Sequence, residues 1–387
     1  MVVGAGPSGA TAALLLARRG HRVVLMDRAR FPRDKACGEG LMPPGVAMLD
    51  RLGLREPVMA TGAQPILGVT YQHMGGRPRA YAPFPPPPGD GPAAALGVRR
   101  TSFDAVIVDA VRTEPLATVR EATRATGLVR DSSGVVVGVA TARDEVRARL
   151  VVGADGLHSS VRAWAGLARR SRVQARYGLA GHWRVDVSER TAITISFARG
   201  HEWYEAPVGP DLLLVSLLTR RSRLPVTART YAQAARREVP STRDAELVSG
   251  PLGAAHFHQR ASAVADGYVF LAGDAAGYDD PTTGEGLAMG MLLAERLARH
   301  ADDLLRERIS RQTSARRYSA GHAALVRDRH RLTQLALLLA GSPWLSRRAI
   351  AHAAHDPRTL GRLLAINCGY LSFGDLSPRD WLSLAGI

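Results

Sequence analysis

The chain has 387 residues, of which 46% are hydrophobic and 22% charged, so it is neither disordered nor small enough for one hydrophobic core of roughly 250–300 residues. Its net charge of +16 comes from scattered arginines, since Lys35 is the only lysine, and no basic stripe with interleaved aromatic residues indicates a nucleic-acid partner. Cys37 and Cys368 are too isolated to indicate a disulfide framework or a metal site. No apolar run approaches the ~20 residues of a membrane-spanning helix. We expect a cytoplasmic, metal-free protein of two domains, which would meet a membrane only at its surface.

The first thirty residues carry a glycine motif between two predicted strands. Gly4, Gly6 and Gly9 form G-x-G-x-x-G directly after an apolar strand, and residues 10–19 are typical of a helix. Asp27 ends the next apolar run, 18 residues after Gly9, close to the ~20 of a dinucleotide-binding fingerprint. Such glycines allow a tight turn and a close approach of the pyrophosphate, which the helix N-terminus binds. The acidic residue accepts hydrogen bonds from the ribose.

Two later segments repeat the pattern of an apolar strand followed by a glycine and an aspartate. Residues 147–156 (RARLVVGADG) end in Asp155 and Gly156. Residues 267–290 contain Gly273 and Asp274, then a glycine-rich loop, then a predicted helix. A glycine-rich loop at a helix N-terminus presents amide N–H groups and a positive dipole end to an anion.

In this order and spacing, the three segments resemble the FAD-dependent aromatic hydroxylases with the p-hydroxybenzoate hydroxylase fold. Residues 34–43 (DKACGEGLMP) and 281–286 (PTTGEG) resemble the geranylgeranyl reductase family within that class. The resemblance implies an α/β fold, in which a Rossmann-like domain that binds FAD non-covalently is interleaved with a β-sheet substrate domain and followed by C-terminal helices. We place the FAD domain at 1–65, 95–165 and 262–300, the substrate domain at 66–94 and 166–261, and the C-terminal helical region at 301–387.

The resemblance also implies roles for individual residues. Asp274 would bind the flavin ribityl chain, Asp155 and Gly156 would support the pyrophosphate, and the loop 281–286 would lie against the isoalloxazine ring. Cys37 would lie near the flavin as a proton donor to substrate or as a packing residue, and Lys35 would orient the loop or a phosphate. The residues expected to contact FAD are Gly4, Gly6, Pro7, Ser8, Gly9, Asp27, Arg28, Cys37, Gly38, Arg100, Asp155, Gly156, Gly273, Asp274, Pro281, Gly284, Glu285 and Gly286.

The predicted substrate domain contains several β-strand patterns over 176–218 and a proline-rich loop over 84–92. Trp183, Trp203 and Tyr204 are candidates to line a substrate pocket, each with ordinary sheet packing as the alternative. Histidines that could act as acid or base are His182, His201, His256 and His258. The arginine-rich C-terminal region is predicted to form amphipathic helices that cap the flavin domain, line a hydrophobic entrance or contact a membrane.

Several reactions remain open for such a protein. No second G-x-G-x-x-G follows a strand, so NAD(P)H would visit transiently, or a separate reductase would supply electrons. Monooxygenation of a small hydrophobic molecule through a flavin C4a-hydroperoxide, in secondary metabolism, is the favoured hypothesis. Reduction of an isoprenoid-like double bond is the main alternative, which the cysteine segment favours. Halogenation and non-redox cyclisation are further alternatives, and the motif G-W-x-W-x-I-P of halogenases is missing.

Overall fold

A computed structural model of the protein describes residues 1–89, 91, 93–169, 176–220 and 224–385, with the backbone alone over 382–385. Two positions of the proline-rich loop, 90 and 92, and parts of the predicted substrate domain, 170–175 and 221–223, lie outside the described residues.

The helices are α1 Pro7–Arg18, α2 Pro43–Leu52, α3 Arg55–Met59, α4 Arg100–Arg112, α5 Ser160–Trp164, α6 Tyr231–Glu238, α7 Gly286–Leu305, α8 Arg311–Gly341, α9 Pro343–His355, α10 Pro357–Cys368 and α11 Pro378–Ala385. The strands are β1 Val2–Val3, β2 Val23–Met26, β3 Gly40–Leu41, β4 Gln64–Ile66, β5 Gly68–His73, β6 Arg79–Pro83, β7 Ala95–Gly97, β8 Ala117–Arg120, β9 Ala125–Arg130, β10 Val136–Thr141, β11 Glu145–Arg147, β12 Val151–Gly153, β13 Ala168–Arg169, β14 Tyr177–Arg184, β15 Ala192–Phe197, β16 His201–Gly209, β17 Leu212–Thr219, β18 Glu246–Ala255, β19 Gln259–Ala261, β20 Ala265–Asp266, β21 Val269–Leu271 and β22 Gly277–Tyr278.

The first large sheet has the strand order β20-β21-β12-β1-β2-β8 and is parallel except at β20. Its central strands are short runs of Val, Leu and Phe that are buried on both faces, as expected of a parallel sheet covered by helices. Helix α1 packs against β1, β2 and β8, and α7 packs along α1. The carboxyl ends of β1, β12 and β21 meet at one edge, which is where ligands bind in open α/β sheets.

The second large sheet has the order β18-β14-β17-β16-β15-β5-β6 and is antiparallel except between β15 and β5. One face is covered by α6, with Trp183, Trp203 and Tyr231 fully buried between them. The other face presents side chains such as Ile193 and Ala206 to a cavity. Because side chains alternate along a strand, consecutive residues of β16 lie on opposite faces.

The remaining strands form three-stranded sheets, β11-β10-β9, β13-β19-β22 and β3-β7-β4. The strands of the first large sheet lie within the predicted FAD domain, and those of the second lie within the predicted substrate domain. The α/β fold class is confirmed, whereas the division into domains stays a prediction.

The C-terminal helices complete the molecule. Helices α9 and α10 pack on the β6 edge of the second sheet, and α8 packs along α7. The Tyr318 hydroxyl of α8 donates a 2.6 Å hydrogen bond to the carbonyl of Leu271 at the end of β21, which ties α8 to the first sheet. Among the described helices, none combines the length and apolar character that crossing a membrane requires.

We predict that Trp203→Ala lowers the free energy of unfolding by about 3–5 kcal/mol, because it removes a fully buried indole from the core between the second sheet and α6. Urea unfolding followed by circular dichroism measures this change. The control is Trp344→Ala, whose side chain is 65% exposed and whose loss should change stability by about 0.5 kcal/mol or less. Equal effects of the two substitutions would contradict the described packing.

Candidate functional site

A cavity of about 1260 Å³ lies between the carboxyl edge of the first sheet, the open face of the second sheet and helices α8–α10. One end is walled by the glycine loop, Asp27 and Arg28. The middle is walled by residues 33–40, by Asp155 and Gly156, and by the loop from Pro281. The far end, which we call the apolar arm, is lined by Val69, Tyr71, Ala80, Ile193, Ile195, Phe197, Leu335, Leu339, Ile350 and Leu364.

Each of the three glycines of the motif is required for a different physical reason. Gly4 has φ +99°, and a Cβ there would lie 2.3 Å from the carbonyl oxygen of Ala154. A Cβ on Gly9 would lie 1.9 Å from the carbonyl oxygen of Gly4, so both positions require close backbone contact. A Cβ on Gly6 would meet only the Arg33 guanidinium, at 3.5 Å. Gly6 is therefore the position at which the loop opens to the cavity, immediately before the N-terminus of α1.

Ser8 of α1 packs closely against Gly273, in the turn after β21, at the carboxyl edge of the first sheet. A Cβ on Gly273 would lie 2.3 Å from the Ser8 hydroxyl, and one on Gly290 of α7 would lie 2.2 Å from it. Gly9, Gly273 and Glu285 are the expected FAD contacts that do not line the cavity. Gly9 and Gly273 shape the cradle through close packing of α1, α7 and the turn after β21.

Two aspartates of the predicted set already bind the backbone around them. Asp27 accepts hydrogen bonds from the amides of Ala5, at 2.7 Å, and Ala29, at 2.8 Å, and so fixes the glycine loop. Asp155 accepts from the Ser159 hydroxyl and from the Ser160 amide, at 2.7 Å, and so caps α5. Both residues line the cavity, and their contact with a cofactor stays a prediction.

Lys35 and Asp274 face one another across the middle of the cavity. The Lys35 ammonium lies 3.8 Å from a carboxylate oxygen of Asp274 and close to Gly156. Both side chains remain partly exposed. This pair brings the cysteine segment, the segment after β12 and the segment after β21 to one place.

Cys37 lies in the cavity wall beside a buried ionic network. Its sulfur accepts a hydrogen bond from the Glu39 amide at 3.3 Å. Arg100, next to that sulfur, forms a bidentate pair with Asp104 at 2.8 and 2.7 Å. Burial opposes the charge of Arg100, but Asp104 and Cys37 together raise its pKa above the ordinary value. A cation that stays charged therefore lies beside the thiol.

Glu39 connects this network to the second sheet. One carboxylate oxygen accepts the Arg100 amide at 2.8 Å, and the other lies 2.8 Å from Nε2 of His182. Nδ1 of His182 lies 3.0 Å from the Ser249 hydroxyl. Sequence reasoning missed Glu39 and Asp104, and only the acidic residue inside the DKACGEGLMP segment could have drawn attention to Glu39.

The loop over residues 281–286 is held from the second sheet by a buried arginine. Arg176 binds Asp280 at 2.8 Å and Glu202 at 2.6 Å. Asp280 in turn accepts the Thr282 amide at 3.1 Å, and burial raises the pKa of Asp280 to about 6. The Tyr204 hydroxyl lies 2.9 Å from the Thr282 hydroxyl. Arg176 belongs to no recognisable motif, so sequence reasoning missed it.

Gly284 and Glu285 complete this loop in different ways. Gly284 has φ +68°, the left-handed conformation that turns the chain into α7. Glu285 points away from the cavity and lies 3.2 Å from the Arg329 guanidinium of α8. Burial raises the pKa of Glu285 to about 7. Glu285 thus connects the loop to the C-terminal helices. The other residues of the loop, including Pro281, Gly284 and Gly286, line the cavity.

The expected pocket role is wrong for two of the three aromatic candidates. Trp183 and Trp203 lie on the face of the sheet covered by α6, outside the cavity, because the alternation of β16 places Trp203 opposite to Tyr204. Tyr204 lines the cavity. The four candidate histidines do not line it, and His201 binds Glu238 on the α6 side at 2.6 Å.

The residues present fit a dinucleotide such as FAD. The cradle has an open position at Gly6, amide groups at the N-terminus of α1, and cationic side chains at Arg28, Arg33 and Lys35 in its wall. These features suit a pyrophosphate. Among the described residues, no group of three or more His, Cys, Asp or Glu side chains could hold a metal ion.

Comparison with known proteins decides the cofactor class. The family model described as FAD binding domain matches residues 1–320. The chain belongs to this family. Menaquinone reductase of Mycobacterium tuberculosis is 31% identical over 362 residues, which cover 88% of this chain and 83% of the relative. Digeranylgeranylglycerophospholipid reductase 1 of Methanothermobacter thermautotrophicus is 29% identical over 303 residues, or 75% of this chain and 73% of the relative.

A solved structure agrees with the fold of this family. The p-nitrophenol 4-monooxygenase of Pseudomonas putida DLL-E4 superposes with a TM-score of 0.79 at 22% identity, covering 96% of this chain and 98% of that chain. At this identity the likeness shows the fold alone. As a member of the FAD-binding family with reductase relatives, the chain is an FAD-dependent oxidoreductase, and the expected resemblance is confirmed.

We predict that Gly6→Val abolishes FAD binding while the protein stays folded, because the new side chain enters the space between the α1 N-terminus and the cavity. The ratio of flavin to polypeptide after gel filtration measures the loss. Gly127→Val is the matched control, since Gly127 lies in β9 with no atom within 4 Å of an added Cβ. A Gly6→Val protein that retains a full complement of flavin would contradict the placement of the pyrophosphate.

Proposed function

We propose that this protein uses FAD to reduce carbon–carbon double bonds in a long apolar molecule of isoprenoid type. The observation that carries the proposal is the position of Cys37, which lines the same cavity as the glycine-rich loop at Pro281 and the apolar arm and lies next to Arg100. Reduction of an isolated double bond needs a proton donor at that position as well as a hydride.

The apolar arm supports a substrate with an extended hydrocarbon chain. Its walls come from the open face of the second sheet and from α8, α9 and α10, and their side chains are apolar or uncharged. Tyr71 and Phe197 stack within this wall, with ring centroids 6.4 Å apart. Burial of apolar chain against such walls contributes about 0.8 kcal/mol per methylene, which favours long substrates.

The relatives that span most of the chain support the same reaction class. Two of them are reductases whose names specify menaquinone and a digeranylgeranyl lipid, and both align over 75% or more of this chain. Isoprenoid chains are the feature common to those two names. The similarity does not identify the substrate of this protein, which we propose by class only.

The residues of this chain have distinct tasks in the proposed reaction. When bound and reduced, FAD supplies the hydride that adds to one carbon of the double bond. Cys37 donates its proton to the adjacent carbon, so that two hydrogen atoms are added in total. The Arg100 guanidinium then stabilises the thiolate until solvent reprotonates it. Glu39 and His182 hold the cysteine segment in place through their mutual contact.

The electron donor proposed for the flavin is NAD(P)H or a separate reductase. The sequence contains no second G-x-G-x-x-G after a strand, so a nicotinamide cofactor would bind only transiently. The cationic wall formed by Arg28, Arg33 and Lys35 would favour the approach of an anionic donor.

Monooxygenation, which the sequence analysis favoured, is the second candidate. The apolar arm supports it as well, because exclusion of water protects reactive oxygen chemistry from side reactions. This candidate assigns no chemical task to the pairing of Cys37 with Arg100, and for that reason we rank reduction first.

We predict that Cys37→Ala lowers kcat for double-bond reduction by about 10²–10⁴, the usual contribution of a positioned general acid. FAD content and the rate of flavin reduction by the electron donor should remain unchanged. Saturation of the hydrocarbon chains of a digeranylgeranyl lipid, followed by mass spectrometry, provides the measurement.

The second cysteine offers a matched control for this experiment. Cys368→Ala removes a thiol that is buried in α10, and burial raises the pKa of that thiol to about 12, so it should leave turnover intact. Full activity of the Cys37→Ala variant would rule out Cys37 as the proton donor.

A further inference from the structure

The junction of α8 and α9 has two faces of opposite exposure. Leu335 and Leu339 of α8, and Ile350 of α9, point inward and line the apolar arm. On the outward face, Leu338 is 61% exposed and Trp344 is 65% exposed. Two large apolar side chains exposed at one helix junction mark a candidate site of contact with a partner or a lipid phase.

Cationic side chains border the exposed apolar pair. Arg347 and Arg348 are exposed one turn after Trp344, and the Arg348 guanidinium lies over the Trp344 ring at 5.5 Å from its centroid. The sequence contains no acidic residue between Asp328 and Asp356. The surface formed by Leu338, Trp344, Arg347 and Arg348, which we call the docking surface, is therefore apolar at its centre and positively charged at its border.

We propose that the docking surface binds the surface of an anionic lipid membrane. Tryptophan favours the boundary between headgroups and acyl chains, because its ring is apolar and its N–H is polar. Arginines beside it would bind the phosphate groups of an anionic lipid surface. This combination of an apolar face with basic residues is typical of elements that lie on a membrane without crossing it.

Charge distinguishes this occupant from the other two that an exposed apolar patch could have. A second copy of this chain, with a net charge of +16, would bring the same arginines against these arginines. A neutral protein partner would gain nothing from the arginine border. An anionic lipid surface satisfies both the apolar centre and the charged border.

The docking surface lies on the same two helices as part of the apolar arm, which bears on how substrate reaches the cavity. The two helices that carry it also wall the apolar arm, so membrane-bound enzyme would hold this arm next to the lipid phase. The proposal does not depend on the reaction, since an apolar substrate for reduction or for monooxygenation would partition into the same lipid.

Co-sedimentation of the FAD-loaded protein with vesicles tests the proposal. The vesicles are phosphatidylcholine with and without phosphatidylglycerol. We expect binding to the anionic vesicles. The double variants Leu338→Ser/Trp344→Ser and Arg347→Glu/Arg348→Glu should each lower the partition coefficient by about tenfold or more, with FAD content unchanged.

A matched pair of substitutions separates local docking from overall charge. Arg316→Glu/Arg317→Glu changes the charge by the same amount, at exposed positions near the other end of α8, and should preserve most of the binding. Equal losses in the two arginine pairs, or absence of binding by the unmodified protein, would overturn the proposal. Sedimentation velocity without lipid identifies the rival occupant, because a dimer that Trp344→Ser dissociates would assign the surface to a second copy.

Discussion

The carboxylate of Glu39 joins the three parts of the molecule that meet at the cysteine segment. It accepts the amide of Arg100 at the start of α4 and binds His182 on β14 of the second sheet, while the Glu39 amide binds the sulfur of Cys37. Glu39 is 1% exposed, so its buried carboxylate depends on the Arg100 amide and on His182 for its polar contacts. Removal of one partner from such a buried set costs about 3–5 kcal/mol, and the position of the thiol depends on the set remaining complete.

A second buried charge performs the corresponding task on the opposite wall. Arg176 holds Asp280 at the start of the loop over residues 281–286 and Glu202 on β16, so the loop keeps its position relative to the second sheet. The two networks fix the cysteine segment and this loop independently on the same sheet. In the proposed reaction, a cavity held in this way would keep the distance between cofactor, thiol and substrate constant and so position the reacting atoms for transfer.

The sequence predicted the parts of the site that local backbone geometry dictates. The contacts of these residues lie within a few positions of a strand end or on the adjacent strand, so a motif of fixed spacing identifies them. They are Gly4, Gly9, Asp27 and Asp155. The pairing of Glu39 with His182 and that of Arg176 with Asp280 join residues 143 and 104 positions apart, and no local pattern specifies such contacts. The wrong placement of Trp183 and Trp203 has a similar origin, because alternation identifies two faces of a strand without showing which face meets the cavity.

In the proposed reaction a carbon–carbon double bond of the substrate, rather than oxygen, accepts the electrons of the flavin. The decisive measurement is an oxygen-free single turnover, in which chemically reduced enzyme is mixed with a digeranylgeranyl lipid, which carries no quinone ring, and the flavin absorbance is followed in time. We expect the flavin to be reoxidised without oxygen and the hydrocarbon chain of the product to gain two hydrogen atoms. A flavin that stays reduced until oxygen is admitted, followed by a product with one added oxygen atom, would overturn double-bond reduction and establish monooxygenation.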